Sequence, residues 1–473
     1  MRHHFRTRPL ETALWTAPGD TWTFADVAEL AAGAQRLIRR HGVDVGDTAL
    51  VLSRPSPSLF AAILGLLGSG VTAVFVEPWL PLDEVDAVIR RVRPRIFLGS
   101  PMARLWALRV PEVRRIPTWV PLSRIGAGSG GTPFECRPVD PDTPGTVTFS
   151  SGTTGSPKGL VRSHECLGTL FRLLGETAPE EALQGPDLCV FPNLALLHLA
   201  TGRGAVLFPS DWSPRSFRRV ASVARSAGPT TLSCGPGFLA RLLTHVDAYP
   251  DRFGSLRQVA VGGAQVDCEL LERGFRRWPE ARWLQVYGGS EAEPVALTDA
   301  MDSVRWSRER GLFQALFLGR PIPELDTELT SEGVRVRGPN VARRYGAGEG
   351  RQDEGRRHAR GRDWHAMGDR IESDSRGWWY EGRIGQPRAE FLVEQRLYAE
   401  LGTSASFVAR DTSGRLYLYG ERLPAEARDF RPGFRSRHPE LDGVRPVRIV
   451  RDRRHGARID RNASLVRGGW IHE

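Results

Sequence analysis

Residues 150–159 read Ser-Ser-Gly-Thr-Thr-Gly-Ser-Pro-Lys-Gly and contain the only lysine of the chain, Lys158. The chain has 65 lysines and arginines in total, so arginine is used wherever a general positive charge suffices. A lysine among small and hydroxylated residues indicates a position that needs a compact, rotatable ammonium group. Small side chains, hydroxyls and approachable backbone N–H groups favour a cradle for a polyphosphate. The strand-like run at 145–149 supports this interpretation over a plain surface loop.

The composition is typical of a globular protein of more than one domain. A chain of 473 residues is too long for one ordinary core, and 40% hydrophobic with 25% charged residues excludes general disorder. The net charge of +10 comes from arginines mixed with 55 acidic residues, and no basic–aromatic recognition motif accompanies it. We therefore expect no nucleic-acid partner. The five cysteines form no CxxC pair, which favours reduced thiols in a cytoplasmic protein over disulfides or a zinc site.

One apolar run, at 59–76, approaches the ~18-residue length of a membrane span. Glycines at 65, 68 and 70 interrupt it, so the run predicts a buried helix, a turn and a strand from Val71 to Val76 rather than a span. The N-terminal residues lack the apolar segment of a signal peptide.

The order of helical and β-branched stretches predicts an α/β fold. Residues 1–140 alternate the two, for example a helix at 24–41 and a strand at 48–52, which favours a largely parallel sheet. The same alternation resumes at 147–295. The glycines at 126–131 formally fit GxGxxG, but no helix and no ribose-binding acid follow, so they predict a linker. A segment at 345–362, rich in Gly, Arg, Asp and Glu, predicts an exposed loop.

The lysine-containing loop resembles the signature loop of the adenylate-forming superfamily, which includes acyl-CoA synthetases, nonribosomal adenylation domains and luciferases. Other segments resemble further motifs of that family, in the same order along the chain. They are VAVGGA at 259–264, YGGSE at 287–291, WHAMGD at 364–369 and YEGR at 380–383.

This resemblance implies a fold and an activity. The fold is a large, multi-layered N-terminal domain with parallel sheets, residues 1–383, and a small α+β C-terminal lid domain, residues 384–473. The activity is that of an AMP-forming ligase, which uses ATP and Mg²⁺ to convert a carboxylic acid to an acyl-adenylate. CoA, a carrier-protein thiol or the substrate's own hydroxyl would then accept the acyl group.

The resemblance also implies a role for each matched residue. The loop that handles the β- and γ-phosphates comprises Ser150, Ser151, Gly152, Thr153, Thr154, Gly155 and Lys158. The adenine is flanked by Gly262, Gly263, Ala264 and Gly288, and Tyr287 stacks on it. Ser290 contacts the α-phosphate and Glu291 helps to bind Mg²⁺, a hard cation that prefers oxygen ligands. Asp369 and Arg383 contact the ribose.

Three segments resemble the β-lactone synthetases of olefin biosynthesis more closely, although long-chain fatty acid–CoA ligases share part of the pattern. They are FLGSPMARL at 97–105, FPNLALLH at 191–198 and YGGSEAEPV at 287–295. This branch implies a fatty or β-hydroxy acyl substrate. The expected substrate pocket includes Phe191, Asn193, His198 and Gly289, although a partly buried helix histidine would explain His198 equally well.

Two departures from the family pattern leave the activity open. The family uses a C-terminal lysine that bridges the carboxylate and the α-phosphate, whereas this chain has Arg458 at that place, in HGARIDR. Arginine keeps the charge but is longer, planar and forked. In addition, Ile384 and Gly385 replace the acidic hinge residue after Arg383. Both an active ligase and a nucleotide-binding pseudoenzyme or partner subunit are consistent with these changes.

Overall fold

The computed structural model describes residues 2–17, 19–77, 80–126, 133–150, 158–249, 253–344, 364–451 and 459–470. The helices are α1 Arg2–Thr7, α2 Phe24–Arg40, α3 Pro57–Gly68, α4 Leu82–Val92, α5 Pro101–Ala107, α6 Pro111–Arg114, α7 His164–Gly175, α8 Pro192–Thr201, α9 Pro214–Ala227, α10 Pro236–Ala248, α11 Cys268–Arg277, α12 Ala300–Glu309, α13 Arg388–Leu401, α14 Ala425–Arg428, α15 Pro432–Arg437 and α16 Arg461–Arg467. The strands are β1 Thr12–Trp15, β2 Thr21–Thr23, β3 Thr48–Leu52, β4 Thr72–Val76, β5 Ile96–Gly99, β6 Thr118–Pro121, β7 Pro144–Ser150, β8 Lys158–Ser163, β9 Asp187–Cys189, β10 Ala205–Leu207, β11 Thr231–Cys234, β12 Gln258–Gly262, β13 Arg282–Gly289, β14 Ala292–Asp299, β15 Phe317–Pro321, β16 Asp326–Thr330, β17 Gly333–Arg337, β18 Arg343–Arg344, β19 His365–Ala366, β20 Asp369–Ser373, β21 Trp378–Arg383, β22 Ser406–Arg410, β23 Leu416–Gly420 and β24 Gly443–Pro446.

Two large sheets form the frame of the molecule. The larger has eleven strands in the order β2-β1-β10-β9-β11-β12-β13-β14-β15-β21-β20, parallel from β1 to β13 and antiparallel beyond. The other has seven strands in the order β18-β8-β7-β4-β3-β5-β6, parallel from β7 to β6. Two three-stranded sheets complete the fold, β16-β17-β19 and β22-β23-β24.

Helices cover both faces of each large sheet. One apolar cluster joins α2, α3 and α8 to one face of both sheets. A second cluster packs α9 to α12 on the other face of the eleven-stranded sheet, and a third packs α4 to α6 on the other face of the seven-stranded sheet. Strand β3 shows the principle, because Ala49 and Val51 belong to the first cluster and Leu50 to the third. Side chains that alternate between two buried faces explain why the strands are apolar throughout.

The apolar run at 59–76 forms the predicted helix, turn and strand. Ser56 caps α3 by accepting a hydrogen bond from the amide of Leu59, and β4 follows the turn. A side chain at Gly65 would place its Cβ 2.6 Å from the Cβ of Ala34, so this glycine allows α3 to pack closely on α2. Among the described residues, no helix has the length and apolarity to cross a membrane.

The C-terminal elements, α13 to α16 and β22 to β24, contain two small apolar clusters of their own. The fold class is therefore confirmed as α/β with large, mostly parallel sheets and a smaller α+β C-terminal part. The domain division after Arg383 stays a prediction. The linker predicted at 126–131 lies outside the described residues from 127 onward, as does the loop predicted at 345–362.

Candidate active site

A cavity of about 1110 Å³ lies where the carboxyl ends of β12 and β13 meet the C-terminal elements. One wall contains Gly263, Ala264, Tyr287, Gly288, Asp369 and Arg383, which the sequence predicts to contact a nucleoside. The opposite wall comes from α13, β22 and the segments around 451 and 459–462. The carboxyl ends of parallel strands are the usual ligand-binding edge of an α/β sheet.

Three of the predicted residues form a connected group. The Tyr287 hydroxyl donates to Oδ2 of Asp369 at 2.8 Å, and Arg383 Nη1 donates to Oδ1 at 2.8 Å. Asp369 begins β20 and pairs in register with Arg383 at the end of β21. Burial, followed by the negative charge of Asp369, holds the pKa of Tyr287 well above its ordinary value, so the phenol stays protonated and donates. Asp369 is therefore held as an acceptor at the cavity wall.

Glycines allow the backbone to pack closely at the strand ends beside the cavity. A Cβ at Gly262 would lie 2.7 Å from the carbonyl oxygen of Val286, and one at Gly288 would lie 2.7 Å from that of Ala292. Gly263 has a φ of +83°, a conformation that a side chain disfavours. Glycine at 262 and 288 therefore allows β12 to pack closely on β13 and the end of β13 to pack closely on β14.

The turn from Gly289 to Ala292 joins β13 and β14 and is held from two sides. Arg162 Nη2 donates to the carbonyl oxygen of Ser290 at 2.5 Å, and the amide of Ala342 donates to that of Glu291 at 2.6 Å. A Cβ at Gly289 would lie 3.0 Å from Oε2 of Glu291, so glycine leaves space beside this carboxylate. The Glu291 carboxylate is the kind of oxygen ligand that a Mg²⁺ ion takes together with phosphates and water.

The phosphate loop lies mostly outside the described residues. Strand β7 ends at Ser150 and β8 begins at Lys158, and these two residues pair in antiparallel register. Ser151, Gly152, Thr153, Thr154 and Gly155 fall outside the described residues, as does Arg458. Arg451 and Ile459, on either side of the Arg458 segment, form an isolated β-bridge.

Three of the four predicted acyl-pocket residues, Phe191, Asn193 and His198, do not line the cavity, whereas Gly289 directly follows Gly288 of the cavity wall. Phe191 precedes α8, Asn193 is exposed on its first turn, and neither lines the cavity. His198 is buried and directs Nε2 to Oδ2 of Asp187 at 3.3 Å. Asp187 is aligned with Thr231 at the start of the parallel strands, whereas the cavity lies at their ends. His198 thus forms a buried pair that the sequence resemblance did not indicate.

Several residues at the cavity were not predicted. Glu394 on α13 is buried and accepts hydrogen bonds from Arg461, from the amide of Val408 and from Gln386. Burial raises the pKa of Glu394, and Arg461 opposes this effect. Sequence spacing offers no signal for this pair, because Glu394 and Arg461 are 67 residues apart.

Asp267 links the two walls. It occupies the N-cap position of α11 but makes no capping hydrogen bond. Its carboxylate instead accepts from Gln314 Nε2 at 3.2 Å and from Ser404 Oγ at 2.9 Å, and Gln395 donates to Gln314 at 3.0 Å. Burial raises the pKa of Asp267. A helix that begins with an aspartate is the available sequence signal, but it predicts capping and not this bridge.

Asn340 is a further residue that was not predicted, and it binds the strand that follows the turn. Its side-chain amide donates to the carbonyl oxygens of Glu293 at 3.2 Å and Pro294 at 2.8 Å, directly after the Ser290–Glu291 turn. The Gly-Pro dipeptide before it indicates a turn but gives no information about its partner.

Comparison with known proteins identifies the family. The model for AMP-binding enzymes matches residues 1–345. An olefin β-lactone synthetase from Xanthomonas campestris pv. campestris is 27% identical over 291 residues, covering 57% of this chain and 51% of that protein. The p-hydroxybenzoic acid–AMP ligase FadD22 from Mycobacterium tuberculosis is 26% identical over 380 residues, covering 76% of this chain and 50% of that protein. The chain thus spans about half the length of these relatives.

A solved structure shows the same fold. The amide bond synthetase McbA from Marinactinospora thermotolerans superposes with a TM-score of 0.77 over 97% of this chain and 96% of its own, at 20% identity. The family match covers well over half of the chain and agrees with the motifs at the cavity. The chain therefore belongs to the family of AMP-binding enzymes.

Proposed function

We propose that this protein uses ATP to activate a carboxylic acid as an acyl-adenylate, with release of pyrophosphate. The observation that carries the proposal is the Tyr287–Asp369–Arg383 group in the cavity wall, because the strand that contains Tyr287 runs directly into the turn with Ser290 and Glu291. This arrangement offers a buried acceptor for ribose hydroxyls at the cavity wall, held by a tyrosine on the strand that continues into this turn. The family match supports the proposal independently.

In the proposed reaction, a carboxylate oxygen attacks the α-phosphorus and the bond to the β-phosphate oxygen breaks. Asp369 accepts hydrogen bonds from the ribose hydroxyls, and Ser290 donates to the α-phosphate. Lys158 and the loop around it neutralise the β- and γ-phosphates as pyrophosphate leaves. A Mg²⁺ ion held by Glu291 would supply further neutralisation of phosphate charge when bound. Arg458 would stand beside the carboxylate in place of the family's lysine.

We further propose a fatty or β-hydroxy fatty acid as the substrate. The named activity of the Xanthomonas relative and the segments at 97–105 and 191–198 support this class. The adenylate would react with the substrate's own β-hydroxyl or with a thiol of CoA or a carrier protein. We place the hinge of the C-terminal lid after Arg383, where Gly385 has a φ of +95° and offers a flexible position.

The test is pyrophosphate release by the purified protein with Mg·ATP and a panel of fatty and β-hydroxy fatty acids, each with and without CoA. We expect release with at least one acid, and the product mass distinguishes a lactone, which has lost water, from a thioester. The matched control is Asp369→Asn, which keeps the shape of the side chain and removes its charge.

If Asp369→Asn released pyrophosphate as fast as the wild type, the proposed site would be contradicted. No release with any acid, while ATP still binds, would contradict acid activation and favour a nucleotide-binding protein without ligase activity.

A further inference from the structure

Arg162 joins the two large sheets at the phosphate turn. It lies on β8, the strand that begins with Lys158, and its guanidinium has acceptors in both sheets. Nη2 donates to the carbonyl oxygen of Ser290 at 2.5 Å, and Nη1 donates to Oγ1 of Thr148 on β7 at 3.3 Å. The turn and the phosphate hairpin, which are 128 residues apart in the sequence, are thus connected through one side chain.

The bond to Ser290 fixes the direction of a peptide group. A trans peptide is planar, so its C=O and N–H point in opposite directions. Because Arg162 holds the carbonyl of Ser290, the N–H of Glu291 points away from Arg162. The amide of Ala342 holds the next carbonyl, that of Glu291. Both peptide groups that flank Glu291 are therefore fixed, and with them the direction in which its side chain leaves the backbone.

The same contact places a permanent charge beside the turn. A guanidinium stays protonated in proteins, and its planar fork can donate to two acceptors at once. A lysine at this position would supply the charge but could not hold Ser290 and Thr148 in one plane. Hydrogen bonds with a charged donor are also stronger than those between neutral groups.

We propose that Arg162 is the positioning residue for the α-phosphate of the nucleotide. It fixes the Ser290–Glu291 peptide and supplies a positive charge beside the turn that contacts the phosphate. The inference rests on the proposed function, in which Ser290 contacts the α-phosphate.

The test compares adenosine and AMP, which differ by the α-phosphate, in calorimetric titrations of the wild type, Arg162→Gln and Arg162→Lys. We expect Arg162→Gln to weaken AMP binding about 10- to 100-fold, the range for the loss of hydrogen bonds to a charged group. Adenosine binding should change less than about twofold, and Arg162→Lys should recover part of the affinity for AMP.

The matched control is Arg282→Gln. Arg282 begins β13 and donates to the carbonyl oxygen of Thr177 at 3.0 Å, so it makes the same kind of bond at the other end of the strand. Its loss should leave both affinities unchanged. A second variant, Thr148→Val, keeps Arg162 and removes the acceptor of its Nη1 group, and should weaken AMP binding about two- to fourfold.

Equal weakening of adenosine and AMP in the Arg162 variants would show a general structural role and overturn the inference. Unchanged AMP binding in both Arg162→Gln and Thr148→Val would overturn it as well. A wild-type protein that binds neither adenosine nor AMP would instead overturn the proposed function, and the inference with it.

Discussion

Two buried carboxylates, each paired with an arginine, line opposite walls of the cavity. Asp369 accepts from Arg383 at 2.8 Å, and Glu394 accepts from Arg461, also at 2.8 Å. The pairs differ in what else reaches the carboxylate. Asp369 receives one further hydrogen bond, from Tyr287, whereas Glu394 also receives bonds from the Val408 amide and from Gln386.

A carboxylate has about four acceptor sites. Arg461 reaches both oxygens of Glu394, so with the two other donors all of its sites are used. Two donors reach Asp369 from the described part of the chain, which leaves two sites for a ligand, the number that two ribose hydroxyls require. The side chain of Arg383 is also 53% exposed, whereas that of Arg461 is 34% exposed. We therefore infer that the Asp369–Arg383 pair can bind a ligand, whereas the Glu394–Arg461 pair stabilises the fold.

The largest effect should come from Asp369→Ala. Loss of two hydrogen bonds between ribose and a charged acceptor should lower kcat/KM for ATP about 10³-fold. The measurement is pyrophosphate release at varied ATP. Glu372→Gln is the control, since Glu372 lies on the same strand and its ion pairs with Arg310 and Arg388 are partly exposed. A decrease below about tenfold for Asp369→Ala would mean that the free sites of this carboxylate are not used.

Lys158→Ala should lower kcat about 10²- to 10³-fold, because one preorganised donor to the developing charge is lost. Adenosine binding should be preserved, since the nucleoside wall is untouched. Steady-state kinetics and calorimetry measure the two quantities. Lys158→Arg tests whether the charge alone suffices, and we expect it to remain well below the wild type. Normal turnover in Lys158→Ala would exclude the phosphate cradle.

Arg461→Met should reduce the apparent free energy of unfolding by about 2 kcal/mol, because Glu394 stays buried without its cation. Adenosine affinity should stay within about threefold, in contrast to Asp369→Ala. Denaturant titration gives the stability. Arg396→Met, which breaks the exposed pair with Glu440, is the control and should cost less than about 0.5 kcal/mol. Loss of adenosine binding without loss of stability would reverse the roles that we assign to the two walls.

Asp267→Asn should change the free energy of unfolding least, and the direction in which this change varies with pH is the test. Burial raises the pKa of Asp267, so the folded protein binds this proton more tightly than the unfolded chain does. The contribution of Asp267 to stability is therefore greatest at low pH and is lost as the pH rises through the raised pKa. Asparagine does not titrate, so the stability of the variant relative to the wild type should increase between pH 4 and pH 7. A constant or decreasing difference in denaturant titrations would contradict the proposed cause.

Local pattern in the sequence predicts the elements well, and most of the residues that the motifs assign to the nucleoside line one cavity. The runs that form β3, β12 and β13 are short and β-branched, and the glycine interruptions separate α3 from β4. The residues expected at the adenine and the ribose lie together because each belongs to a motif at a strand end. The local conformation of such a motif depends mainly on its own residues, so it can be predicted from the sequence.

Contacts between distant segments could not be predicted. Nothing in the spacing of Arg162 and Ser290 indicates that they meet, because the meeting depends on how two sheets pack. His198 shows a related difficulty: α8 is apolar on nearly every side, so periodicity does not show which way its one histidine points. Its partner Asp187 belongs to the preceding strand and faces inward at the end away from the cavity.

The turn between β13 and β14 has a consequence for the entropy of binding. Its two strands are interior strands of an eleven-stranded sheet, and its carbonyl groups are held by Arg162 and Ala342. Asn340 holds the carbonyl groups of Glu293 and Pro294, which follow on β14. A wall fixed in this way has little conformational freedom left to lose, so the ordering cost of binding falls mainly on the ligand. Rigid nucleotide analogues, with the ribose and the phosphate already held in the bound conformation, lose less entropy on binding. They should therefore bind more tightly than flexible analogues.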